Sequence, residues 1–119
     1  MLRIPDELKE TIRAMVAADP EVAQATCDIP HLDPTTYLHR NLDGDGIPYC
    51  GCFVGVYAWM QECKEGRVVP QCFEVPEIVS KHTGCSSWQI MYFATWCNTP
   101  ARDRLAVCYA RTLLATPNG

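Results

Sequence analysis

Apolar residues recur along this chain mostly at the three-to-four-residue spacing of helices rather than the alternation of strands. Over residues 5–18, Leu8, Ile12 and Met15 fall on one side with Ile4 just ahead of them, and charged residues fill the other. Pro5 suits a first helical turn, and Asp6 and Glu7 sit where the helix dipole favours negative charge. Asp19-Pro20 ends this helix and offers Asp19 as N-cap of a second, short one running to Cys27. Residues 28–42 carry two prolines and read as loop. The stretch from Cys52 to Cys63 predicts a helix with Gly66 as its stop. Residues 69–75 read as extended, and Pro76 to His82 as a short helix ended at Gly84.

Two further helices close the chain. Ser86 to Cys97 is apolar on nearly every side, which predicts a central, buried helix. Thr99 is placed to cap the last one with Pro100 at its first position, and Leu105, Cys108, Tyr109, Thr112 and Leu113 recur at helical spacing behind them. The expectation is one all-α domain over residues 1–119, with about five helices around a central apolar helix.

Composition narrows the function classes. Hydrophobic residues make up 48% and charged residues 20%, the balance of a globular chain rather than a disordered one. The net charge is −4 and no basic cluster occurs, so nucleic acid is not an expected partner. No apolar run is long enough to span a bilayer.

The eight cysteines change the picture most. They are Cys27, Cys50, Cys52, Cys63, Cys72, Cys85, Cys97 and Cys108, without the Cys-x-x-Cys of redox sites or the paired ligands of zinc sites. Disulfides in an oxidising compartment are the expectation. Cys52 and Cys63 are eleven residues apart, as are Cys97 and Cys108. Eleven helical steps return to the same face within about 20°, about 16 Å along the axis. That exceeds the roughly 7 Å a disulfide allows between Cα atoms. Two such helices lying antiparallel would instead join Cys52 to Cys108 and Cys63 to Cys97, leaving Cys27, Cys50, Cys72 and Cys85 to staple loops. The two Cys-x₁₀-Cys segments resemble the twin Cys-x₉-Cys proteins of the mitochondrial intermembrane space, each arm one residue longer. That resemblance implies a disulfide-linked helical hairpin acting as a structural or assembly subunit.

One short stretch carries metal-site chemistry. Asn41, Asp43 and Asp45 stand at alternate positions, Gly46 allows a sharp turn, and the Ile47 carbonyl follows. Residues 41–50 resemble the calcium loops of thrombospondin type 3 repeats and, faintly, the excalibur-type loop. The resemblance implies Asp43 and Asp45 as calcium ligands, helped by Asn41 and the Ile47 backbone carbonyl. Position 12 of the loop is Cys52 where an EF-hand has Glu, so any such site is weak. A turn needing no metal is the alternative.

Catalytic patterns are poor. A secreted phospholipase A2 needs a His-Asp pair on a helix, but His82 precedes Thr83-Gly84 and His39 precedes Arg40. His31, Asp33 and His39 fit no helical ligand spacing and read as surface loop residues. Ser86-Ser87 reads as a cap. Trp59, Trp88, Met91, Phe93 and Trp96 read as core, with an apolar ligand cavity as the alternative.

The function expected is therefore a non-catalytic, secreted, cysteine-rich recognition module (an effector, toxin-like protein or inhibitor) that binds a protein partner. The alternatives are the intermembrane-space subunit and a carrier of a small apolar ligand. Residues 1–6 lack the apolar region of a signal peptide, so the secreted reading expects a leader absent from this chain.

Overall fold

The computed structural model describes residues 2–31, 52–67, 74–97 and 99–116. Among these residues it is all-helical, with six helices rather than about five and no strand: α1 (Asp6–Ala18), α2 (Pro20–Asp28), α3 (Phe53–Lys64), α4 (Val75–Thr83), α5 (Ser87–Trp96) and α6 (Pro100–Ala115). No described helix is long and apolar enough to cross a membrane.

Local chemistry sets the helix ends. The Asp19 carboxylate accepts the Val22 N–H at 3.1 Å and so starts α2 directly after α1. Ser86 and Gln89 form a reciprocal capping box at the start of α5, and Thr99 accepts the Arg102 N–H at that of α6. Gly66, at φ 76°, closes α3 in a Schellman arrangement. There the Arg67 N–H reaches the Glu62 carbonyl and the Gly66 N–H that of Cys63. Gly84 closes α4 at φ 80° with its N–H on the Ser80 carbonyl. A methyl at Gly84 would meet no atom within 4 Å, so any penalty is purely conformational. Gly84→Ala is expected to lower stability by about 1–2 kcal/mol in a thermal melt; an unchanged melt would mean the turn relaxes at no cost.

The central helix is α3. Its Phe53, Val54, Val56, Tyr57 and Ala58 are all buried, and it packs against α2, α4, α5 and α6. Helix α1 contributes Leu8, Ile12 and Met15 as expected, and the Tyr57 hydroxyl donates to the Met15 carbonyl at 2.8 Å. Burial pushes the Tyr57 phenol up to about 12. Asp19 ties the α1–α2 joint to the far end of α3, accepting from Lys64 at 2.8 Å and Gln61 at 3.3 Å. Burial works against its charge, but the bonds from Lys64 and the Val22 N–H outweigh it and hold the carboxyl below its ordinary value.

Two helices differ from expectation in which face they bury. Helix α5 is not enclosed: Ile90 and Phe93 point into the core, while Trp88 is 75% exposed and Met91 and Tyr92 nearly half. Its side chains are apolar in both directions, so only its neighbours decide which side is inside. On α6 the buried line runs through Asp103, Ala106 and Ala110. The expected Leu105, Tyr109 and Leu113 are half-buried, and Cys108 and Thr112 face solvent. The two alanines are small enough to let α6 lie close against α1 and α2.

Candidate functional site

Four helix ends meet at one buried cluster of polar side chains. Helix α2 ends at Asp28, and His31 folds back so that its Nε2 reaches the Thr26 carbonyl at 2.8 Å. Its Nδ1 faces Asp103 Oδ2 at 2.6 Å. The other Asp103 oxygen accepts the Phe53 N–H at 2.7 Å, in the first turn of α3. It also accepts the Cys97 thiol, at the end of α5, at 3.6 Å. The Cys97 thiol in turn hydrogen-bonds Cys52, the N-cap residue of α3.

The electrostatic logic follows from the helix ends. Cys52 gives α3 no side-chain cap, so Asp103 supplies one from another helix and puts negative charge at the positive end of α3. The negative end of α2 receives cations: His31 on the Thr26 carbonyl and Arg111, at 2.7 Å, on the Cys27 carbonyl. A carbonyl can only accept, so His31 Nε2 carries a proton, and opposite a carboxylate Nδ1 carries one as well. Burial pulls the His31 pKa down, but the Asp103 carboxylate and the Thr26 carbonyl outweigh it, and the net shift is upward. The result is an imidazolium–carboxylate pair whose side chains are about nine-tenths enclosed.

These groups are consumed by structure. His31 has no ring nitrogen left to take a proton from a substrate. The Cys52 hydrogen bond and burial push the Cys97 thiol far above its ordinary pKa, and burial takes Cys27 up to about 11. Both sulfurs are thus held as thiols, the poorly nucleophilic form. The cluster works as a clamp on the ends of α2, α3, α5 and α6. His31 and Phe53, both held by Asp103, bracket residues 32–52 in the chain.

The structure corrects several residue assignments. His31 is not a surface loop histidine but part of the buried pair. Cys97 closes α5 while Cys108 lies in α6, so the second Cys-x₁₀-Cys segment is not one helix. Cys97 is fully buried and packs on Cys52, whereas Cys63 is exposed. Cys108 faces solvent beside Cys27, near enough to raise the Cys27 pKa. Cys52 is thus brought beside Cys97, and no two described cysteines lie at bonding distance. Asn41, Asp43, Asp45 and Ile47 lie outside the described residues, as do Asp33, His39, Cys50 and Cys72. Among the described residues no His, Cys, Asp and Glu side chains group as a metal site.

The five aromatic and methionine positions do not converge on one cavity. Phe93 is fully enclosed, Trp59 is half-buried on α3, and Trp96 lies under the Arg102 guanidinium at 5.6 Å. Trp88 and Met91 point outward. A depression of about 300 Å³ at the start of α1, lined by Arg3, Ile4, Pro5, Asp6 and Lys9, contains none of them.

Sequence reasoning missed Asp103, which pairs with a histidine 72 positions away. One signal was present: Asp103 shares its helical face with Ala106 and Ala110, and a carboxylate on an apolar face implies a buried partner.

Comparison with protein-family models, curated proteins and solved structures finds no match to this chain.

Proposed function

We propose that this chain is a non-catalytic recognition module of an oxidising extracellular space, and that it docks a protein partner on the outward face of α5. One observation carries this reading: Trp88, Met91 and Tyr92, spaced i, i+3 and i+4 on one helix, are all exposed. Tryptophan and tyrosine are the side chains that most often dominate binding energy, and contiguous exposed apolar side chains mark interaction surfaces. The face is rigidly presented, because the capping box fixes the start of α5 and Ile90 and Phe93 anchor its other side in the core. A stripe with this spacing suits an apolar groove on the partner, which receives a helix face side-on. The enclosure of His31, Asp103 and Cys97 favours a binding role over a chemical one.

The test uses a photo-crosslinking residue at position 88 and, as control, at exposed Glu10 on α1, offered the extracellular proteins of the source. A protein captured at 88 and not at 10 is then titrated against wild type and Trp88→Ala by calorimetry. The expected loss is about thirtyfold or more in affinity with an unmoved melting temperature. Wild-type affinity in both Trp88→Ala and Tyr92→Ala, or equal capture at both positions, would sink this reading.

A further inference from the structure

We infer that four of the described thiols sort into two pairs, Cys52 with Cys97 and Cys27 with Cys108, which oxidise to disulfides joining α3 to the end of α5 and α2 to α6. This goes beyond the docking face of α5 and stands or falls separately from it, since sulfur connectivity says nothing of a partner.

In each pair one sulfur already rests against the peptide unit that leads into or out of the other cysteine. Cys27 Sγ lies 3.8 Å from the Val107 carbonyl oxygen, on the peptide unit whose nitrogen belongs to Cys108. One turn further, Arg111 holds α6 to the Cys27 carbonyl at 2.7 Å. Cys97 Sγ and the Phe53 N–H share one Asp103 oxygen, at 3.6 and 2.7 Å, and that N–H belongs to the peptide unit following Cys52. The Cys52 and Cys97 side chains are also hydrogen-bonded to each other. Closing each bond then requires the two sulfurs of a pair to be brought together, chiefly by side-chain rotation.

Each pair gives two electrons and two protons to a disulfide oxidant, such as oxidised glutathione, which leaves as two thiols. For the outer pair, the thiolate of exposed Cys108 attacks one oxidant sulfur and expels the other. Cys27, held as a thiol at rest, must first give up its proton to solvent; its sulfur then attacks the Cys108 sulfur of the mixed disulfide and releases the second oxidant thiol, which makes this the slow step. The inner pair behaves differently. Cys52 and Cys97 are both buried, with the Cys97 thiol donating to Asp103, so an oxidant reaches them only while the helix ends are apart. The inner bond therefore forms during folding and is the harder to reduce afterwards.

The test is the full chain refolded in a mixture of oxidised and reduced glutathione, alkylated, and mapped as non-reduced peptides by mass spectrometry. Recovery of Cys52–Cys97 and Cys27–Cys108 is expected, with a mild reductant opening Cys27–Cys108 first. Finding any of the four joined elsewhere, Cys52–Cys108 and Cys63–Cys97 included, or still alkylated after refolding, overturns the inference. Cys108→Ser, at an exposed position, supplies a second check. It should release Cys27 for alkylation under denaturing conditions while the Cys52–Cys97 peptide persists; loss of that peptide, or Cys27 still blocked to alkylation, counts against the pairing.

Discussion

Replacing Asp103 with alanine is expected to lower the unfolding free energy by about 3–5 kcal/mol, the usual penalty for removing one partner of a buried ion pair. The substitution strips His31 of its counter-charge, removes the cap from the Phe53 N–H and, in the reduced protein, takes the acceptor from Cys97. Natural stabilities run about 5–15 kcal/mol, so a large share would go in one change. Urea denaturation at fixed pH measures it, and a loss below about 1 kcal/mol would mean that the cluster is not the clamp described. Asp103→Asn separates charge from hydrogen bonding. The side-chain amide of that variant can donate to a neutral His31 while its oxygen still accepts from Phe53, so the penalty should fall to about 1–2 kcal/mol.

The same pair predicts a pH dependence with a definite sign. The folded-state pKa of His31 is raised above its unfolded value of 6.5. The stability it contributes is complete below that value and is lost as pH rises through the folded pKa. Wild type should therefore lose stability on the alkaline side of 6.5. Asp103→Asn should be nearly flat there, because its His31 is neutral throughout.

Phe53→Ala is expected to lower stability by about 3–5 kcal/mol through a different mechanism, the loss of a large buried ring and the cavity it leaves. Phe53 is fully enclosed, with its ring centroid 6.1 Å from that of Phe93, 6.3 Å from Tyr57 and 6.5 Å from His31. It is the point where the polar cluster meets the apolar core. Its bond to Asp103 is made by the backbone N–H, which alanine keeps, so Phe53→Ala should retain the alkaline slope that Asp103→Asn loses. Equilibrium denaturation from about pH 6, just below the unperturbed histidine value, to about pH 9 reads both effects together. A Phe53→Ala variant as stable as wild type would show that the core refills around the gap.

The helix boundaries were legible from the chain alone. Asp19, Ser86 and Thr99 start helices and Gly66 and Gly84 close them where the sequence places them, because caps and stops act over three to five neighbouring residues. The buried stripe of α1 was equally plain, since its opposite face is charged and leaves one way to turn. Where a helix is apolar on both sides the sequence is silent. On α5 only the packing of α1, α3 and α4 decides that Ile90 and Phe93 go in and Trp88 stays out. On α6 close approach selects the alanine stripe over the bulkier leucine and tyrosine one.

The buried cluster and the sulfur neighbours belong wholly to tertiary structure. His31 and Asp103 are joined across 72 residues, and Cys97 meets Cys52 because α5 ends where α3 begins. Sequence by itself determined the all-α class, the caps and stops, and a stock of thiols and aromatics. Which of those side chains are enclosed, which are paired and which are exposed was decided by the packing. Each is a contact between elements distant in the chain, and no local propensity encodes it.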